Sequence, residues 1–297
     1  MARRVNFKPT VGSGLFVLIA IVVFLSSLIL VSGDGDGEED YGKVLFMVFD
    51  GFRGDYLSRI DTPNFDRLVN NGVTAKYTTT SFISKTFPTH YTLITGLNEE
   101  SHGFVGNEMY DPVLDKRWTI TNQSKDPVWW DDGEPLWVTN QNQGFESGVF
   151  NYPGQDVKIR GVFPTYRLPK YNSGLSLNET IDLVIPLFAN GSINLGVLYF
   201  GIMDSAGHRN GPNSDLINPA IWECDLAIGY LIDRLESIDM FDKVNIIATA
   251  DHGMTEVSVE KSIYLDDYVD TNLFHYNNNN PVYGLWPNNG EFIIWVI

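Results

Sequence analysis

The sequence predicts an α/β fold with a mainly parallel central sheet flanked by helices. Three observations predict it. Val44 to Phe49, Leu195 to Ile202 and Val244 to Ala250 are continuous apolar runs, as in strands buried on both faces. Helical patterns lie between them, the alternation that builds parallel sheets. Each run also leads into an aspartate, at Phe49-Asp50, Met203-Asp204 and Ala250-Asp251. Ligands gather at the carboxyl ends of parallel strands, so three acids delivered to one edge mark a candidate site.

The chain begins with a short basic stretch, residues 1–10, carrying Arg3, Arg4 and Lys8. No ionisable residue follows until Asp34, and Val11 to Val31 is mostly apolar. As a helix such a run spans about 30 Å, the thickness of a bilayer core. Basic residues ahead of it keep the N-terminus cytoplasmic and send the rest across. Residues 11–32 therefore read as a transmembrane signal anchor behind a cytoplasmic tail, giving a single-pass type II protein of the plasma membrane. The alternative is a cleaved signal peptide ending near Ser32-Gly33, with a secreted or lumenal product, although the run exceeds the usual h-region of about 7–15 residues. Residues 33–42 read as a solvated acidic linker. Three sequons, at Asn122, Asn178 and Asn190, agree with an extracellular address.

Residues 43–297 read as one domain. Thr62-Pro63 opens a helix with a Thr cap and Pro at its first position. Gly148 to Tyr152 is a weaker strand. Ile217, Ile221, Cys224, Ile228, Leu231 and Leu235 recur at spacings of four and three, a helical stripe on which Cys224 reads as a small buried hydrophobe. As the only cysteine, it excludes an intramolecular disulfide and a thiolate zinc site. Removing Arg3, Arg4 and Lys8 leaves 17 basic residues against 37 acidic ones, or −20, which argues against a nucleic-acid-binding surface.

Two of the strand-end aspartates bring a histidine. Asp251-His252 is an adjacent pair, and Asp204 and His208 lie four apart, within reach of one metal if the segment is helical. Carboxylate oxygen and imidazole nitrogen without thiolate suit catalytic zinc, and less well manganese. The run Lys85-Thr86-Phe87-Pro88 predicts a helix opening just after Thr86. A helix N-terminus offers N–H groups to an anion, and a threonine beside a metal can be an activated nucleophile. The plainer alternative is that Thr86 only caps the helix.

These motifs resemble the ectonucleotide pyrophosphatase/phosphodiesterase family of the alkaline-phosphatase superfamily. The likeness rests on Asp50-Gly-Phe-Arg, Lys85-Thr-Phe-Pro, Thr95-Gly-Leu, Asn107 with Met109-Tyr-Asp-Pro, Pro153-Gly-Gln-Asp-Val, Asp204 to His208 and Asp251-His252-Gly-Met. It runs from about residue 43 to 290 and is nearest the short members without somatomedin-type modules. The resemblance implies an alkaline-phosphatase-like fold and two zinc ions. Asp50, Thr86, Asp251 and His252 correspond to the ligands of one, with Thr86 as nucleophile. Asp204 and His208 correspond to two of the three protein ligands of the other. Asn107 matches the donor to the phosphate oxygen, assisted by the Thr86 N–H. Phe87 and Tyr171 match aromatics that hold the base or leaving group, and Tyr152 stands where a nucleotide-preferring member can carry Trp. Lys125 lies near a basic residue that touches substrate phosphate. The implied chemistry is a two-step displacement on a small-molecule phosphodiester or pyrophosphate, most simply a nucleotide.

Departures from the family pattern are also visible. The resemblance implies a third ligand to the second zinc, a His in a Gly-x-His-Gly-like motif. None occurs before Ile297, and Glu291 to Ile297 reads as an unclosed strand, so the domain is expected to be C-terminally incomplete. Thr89 stands where the family usually has Asn, and Met203 where Pro usually precedes the Asp. Two alternatives to a nucleotide phosphodiesterase follow: a choline-headgroup phosphodiesterase, and a catalytically silent membrane-anchored ectodomain lacking one zinc ligand.

Overall fold

A computed structural model describes residues 42–122, 125–279 and 282–288. The expected cytoplasmic tail, membrane segment and all but the end of the acidic linker lie outside these residues, as does the expected strand over 291–297. Among the described residues no helix is long and apolar enough to cross a membrane.

In chain order the elements are β1 (Lys43–Phe49), α1 (Pro63–Asn70), α2 (Thr86–Thr95), α3 (Glu99–His102), β2 (Glu108–Asp111), β3 (Lys116–Thr119), α4 (Leu136–Asn142) and β4 (Ser147–Phe150). There follow β5 (Tyr166–Arg167), α5 (Leu177–Ala189), β6 (Leu195–Phe200), α6 (Ile202–Asn210), α7 (Asn218–Ser237), β7 (Val244–Thr249), β8 (Phe274–Asn279) and β9 (Tyr283–Pro287). The main sheet has the order β5-β4-β6-β1-β7, and every neighbouring pair is parallel.

The apolar run of β1 is explained by its central place. Leu45, Met47 and Phe49 enter one hydrophobic core, while Phe46 and Val48 enter the other. Successive side chains of a strand alternate faces, so a doubly covered strand must be apolar throughout. Helices α5 and α7 fill the first core, and α2 and α4 contribute Tyr91, Ile94, Trp137 and Val138 to the second. The stripe predicted on α7 is real: Ile221, Cys224, Ile228, Leu231 and Leu235 are fully buried. Burial pushes the Cys224 thiol well above its ordinary value, as expected of an inert packing cysteine.

Two local expectations are corrected. The run from Leu195 stops as a strand at Phe200, where Gly201 caps α6, so Asp204 stands in the first turn of a helix and not at a strand end. The chain turns back around Asp50: its N–H donates to the Phe200 carbonyl at 2.9 Å, and its carbonyl accepts from the Asp204 N–H at 2.9 Å. Thr62 occupies the cap position of α1, yet its side chain does not cap. The buried carboxylate of Asp225, from α7, accepts instead from the Asn64 and Phe65 N–H groups, both at 2.9 Å. A tertiary contact has taken the role that local sequence offered to Thr62.

Candidate metal and catalytic site

The three aspartates are brought together by backbone. Asp50 follows β1, Asp251 follows β7, and Asp204 comes from α6. Gly51 lies between them at φ +72°, and a Cβ there would stand 2.8 Å from the Asp204 Cα. Only glycine permits both that conformation and that approach. The Gly51 N–H donates to Asp251 Oδ1 at 3.0 Å, locking the loop after β1 onto the loop after β7.

Asp50, Asp204 and His252 each present a ligand atom within 4.8 Å of the others. The His252 Nδ1 faces the Gly253 carbonyl at 2.8 Å. A carbonyl can only accept, so Nδ1 carries the proton and Nε2 turns its lone pair inward. Nε2 lies 3.4 Å from Asp50 Oδ1 and 3.2 Å from Asp251 Oδ2. Both carboxylate oxygens are buried, and Asp50 Oδ1 accepts no hydrogen bond from the described residues. Asp204 Oδ1 lies 3.3 Å from His208 Nε2, one helical turn away. Acceptor atoms converging without matching donors fit a cation, and this oxygen and nitrogen set fits zinc.

Electrostatics point the same way. Burial, with Asp251 and Asp204 close by, holds the Asp50 carboxyl well above the usual range, though a hydrogen bond from Tyr199 opposes this. Burial alone would raise Asp251 as well, but His90 and the Gly51 N–H outweigh it and hold it below its ordinary value. Acids facing one another without a counter-charge cannot all ionise cheaply, and a divalent cation reverses that logic.

Thr86 is the first residue of α2, and Lys85 is its cap residue, so Thr86 is not the cap. Just ahead of it Ile83 and Ser84 have φ of 88° and 46°, a strained approach for a β-branched residue and its neighbour. Asn107 Oδ1 accepts from the Phe87 N–H at 3.0 Å, which leaves the Asn107 Nδ2 and the Thr86 N–H as the local donors. His90, one turn on, ties Thr86 to the acids: its Nδ1 is 2.7 Å from the Thr86 carbonyl and 3.2 Å from Asp251 Oδ2. Thr89, the departure from Asn, is absorbed by a hydroxyl relay. It contacts Thr80 Oγ1 at 3.3 Å, and that hydroxyl donates to the Asp251 carbonyl at 2.7 Å.

Beside Thr86 a cavity of about 220 Å³ is lined by Phe87, Trp130, Asn151, Tyr152, Asp156, Tyr171 and Tyr199, among others. A larger open groove of about 460 Å³ along β5 contains none of the acids or histidines.

A match to the family described as type I phosphodiesterase / nucleotide pyrophosphatase covers residues 44–296. The chain belongs to that family. Among its relatives, ectonucleotide pyrophosphatase/phosphodiesterase family member 5 from Homo sapiens is 40% identical over 274 residues, 92% of this chain and 57% of that protein. Bis(5'-adenosyl)-triphosphatase ENPP4 from Homo sapiens is 34% identical over 273 residues, 91% of this chain and 60% of that protein. The chain thus spans less than two thirds of these curated relatives. The solved structure of murine ectonucleotide pyrophosphatase/phosphodiesterase 5, an inactive Thr-to-Ala variant in complex with AMP, superposes with a TM-score of 0.81 at 42% identity, covering 84% of this chain and 67% of that one.

Within the family's fold, the residues predicted from sequence divide as follows. Asp50, Asp204, Asp251, His208 and His252 form the acid and imidazole group. Thr86, Phe87, Tyr152 and Tyr171 line the adjoining cavity. Phe87 and Tyr152 are nevertheless largely buried: Phe87 packs on Trp118 with ring centroids 4.7 Å apart, and the Tyr152 hydroxyl donates to the His90 carbonyl at 2.9 Å. Lys125 is paired with Asp156, Nζ to Oδ2 2.6 Å, so its charge is offset at the cavity wall. His275 lies on β8 with its Nδ1 3.3 Å from Asn288 Oδ1, apart from the acid group. Asn122, Asn178 and Asn190 are all exposed. Sequence reading missed Tyr199, which donates to Asp50 Oδ2 at 2.6 Å, and the reach of His90 to Asp251. A tyrosine next to last in an otherwise apolar strand was the available signal.

Proposed function

We propose that the chain carries the core of a zinc-dependent phosphodiesterase that cleaves phosphodiester or pyrophosphate bonds of nucleotides, with Thr86 as nucleophile. One observation carries the reading: ligand atoms of Asp50, Asp204 and His252 converge within 4.8 Å of one another, with Asp251 beside them, next to a helix that begins at Thr86. Asp50, Thr86, Asp251 and His252 would hold one zinc, and Asp204 and His208 a second. When bound, the ions supply the positive charge that acidifies a hydroxyl and offsets charge on entering and leaving oxygens.

The residues divide the remaining work. The N-terminus of α2 attracts the phosphoryl group, with the Thr86 N–H and Asn107 Nδ2 donating to its oxygen. Thr86 Oγ1 loses its proton to solvent and bonds to phosphorus as the leaving alcohol or phosphate departs. Water then cleaves the phosphothreonine ester and restores the hydroxyl. Tyr171 and Phe87 hold the base or leaving group. The inactive Thr-to-Ala variant of the murine relative, solved with AMP, supports a threonine at the chemistry and a nucleotide in the cavity. A position outside the cell, anchored by residues 11–32 and glycosylated at Asn122, Asn178 and Asn190, completes the reading.

The test is nitrophenol release from a nitrophenyl nucleotide ester, with ATP, a dinucleoside polyphosphate and glycerophosphocholine as competitors. Zinc-dependent release inhibited by the nucleotides supports the reading. Inhibition by glycerophosphocholine alone points to the choline alternative. Absence of release with two zinc ions bound contradicts the catalytic role.

A further inference from the structure

The connection from Arg167 to Leu177 has no regular structure, yet it carries Tyr171 into the cavity beside Thr86. One side chain ties it to the main sheet. Asn151 Nδ2 donates to the Asn172 carbonyl at 3.0 Å, and the Asn172 N–H donates to Asn151 Oδ1 at 2.8 Å. A carboxamide offers a donor and an acceptor side by side, as a peptide group does. Asn151 therefore grips residue 172 much as a neighbouring strand would.

The grip is itself fixed. Asn151 directly follows β4, is buried, and has a left-handed φ of 60°, which asparagine tolerates better than most residues. Its own N–H donates to Gln155 Oε1 at 2.9 Å. The Tyr171 ring, one residue from the clamped peptide, meets Tyr199 edge to face with centroids 6.0 Å apart. Tyr199 in turn holds Asp50. The clamp thus sets an exposed aromatic at a fixed place relative to the acids.

We propose that Asn151 is a positioning residue, holding Tyr171 so that its ring packs on the base of a nucleotide whose phosphate lies at Thr86. The inference rests on the nucleotide reading above. Beyond that reading, the order of the Tyr171 connection is assigned to one amide whose donor and acceptor are both spent on residue 172.

The test uses the zinc-loaded full chain and two variants. Asn151→Gly removes the amide but keeps the left-handed backbone accessible, so it is expected to fold. Asn151→Asp keeps the acceptor and loses the donor. Hydrogen exchange over residues 168–175 reads the clamp directly and needs no turnover. Binding of AMP and of ribose 5-phosphate, measured by calorimetry, reads its consequence. Asn151→Gly is expected to speed exchange at the Asn172 amide and to weaken AMP about tenfold, the scale of a lost base–aromatic stack, while ribose 5-phosphate stays within about twofold. Asn151→Asp is expected to fall between. Equal loss for both ligands, or unchanged exchange with unchanged AMP affinity, would overturn the proposal. Wild-type protein that binds AMP no better than ribose 5-phosphate would overturn the nucleotide reading and the base contact with it, while the exchange data still decide whether the clamp exists.

Discussion

Tyr199 donates its hydroxyl to Asp50 Oδ2 at 2.6 Å across the pairing of β6 with β1. The hydrogen bond favours the ionised carboxylate in a place where burial and two other acids oppose it. It also orients Asp50, leaving Oδ1 turned towards His252. Hydrogen bonds of this kind tune metal ligands. Tyr199→Phe is expected to weaken zinc binding by about tenfold, at the low end for such changes. Competition with a chromophoric chelator measures it, and an unchanged affinity would remove Tyr199 from the site.

The crowding of Asp50, Asp251 and Asp204 predicts opposite effects with and without metal. Asp50→Asn removes one of the mutually repelling acids, so in chelator the variant is expected to be more stable than the wild type by about 1–2 kcal/mol. In excess zinc the order reverses, because metal bound to the native state alone stabilises it. Urea unfolding under both conditions reads the crossover.

Capping by Asp225 gives a prediction away from the site. Asp225→Ala leaves the Asn64 and Phe65 N–H groups without their acceptor, an expected cost of about 2–3 kcal/mol. Asp233→Ala, which breaks only the exposed pair with Arg67 at 3.1 Å, is expected to cost under about 0.5 kcal/mol. Equal urea midpoints for the two variants would contradict the assignment of the cap.

His102 links stability to pH. Burial lowers its pKa from 6.5 to about 4. Its Nδ1 accepts from the Phe104 N–H at 3.1 Å and its Nε2 meets Thr92 Oγ1 at 2.9 Å, so the neutral ring is the form that fits. The unfolded chain binds the proton more readily, so this contribution is present above about pH 6.5 and is lost as pH falls towards 4. The full effect is on the order of 3 kcal/mol. His102→Gln is expected to flatten the slope of stability against pH in that window.

Much of the fold was legible because β1 and α7 are covered on so many sides. A strand between two cores must be apolar at every position, and a helix packed on one must carry a stripe, so Val44 to Phe49 and Ile217 to Leu235 announce themselves. The strand expected through Ile202 ended early because Gly201 breaks it, a glycine effect that hydrophobicity does not register. Asp50, Asp251 and His252 could be found because residue type and position at a sheet edge coincide. Tyr199, Asn151 and Asp225 act through partners up to 161 residues away, and no local spacing encodes such contacts.

The proposed chemistry depends most directly on Thr86. Zinc-loaded wild-type protein and Thr86→Ala should be compared for nitrophenol release from a nitrophenyl nucleotide ester, with zinc content determined for both. Turnover by the wild type that chelator abolishes and zinc restores is expected, with a loss of at least about 10³-fold in Thr86→Ala, the scale of removing an essential nucleophile. Turnover by Thr86→Ala at the wild-type rate, or a zinc-loaded wild type that releases no nitrophenol, would contradict it.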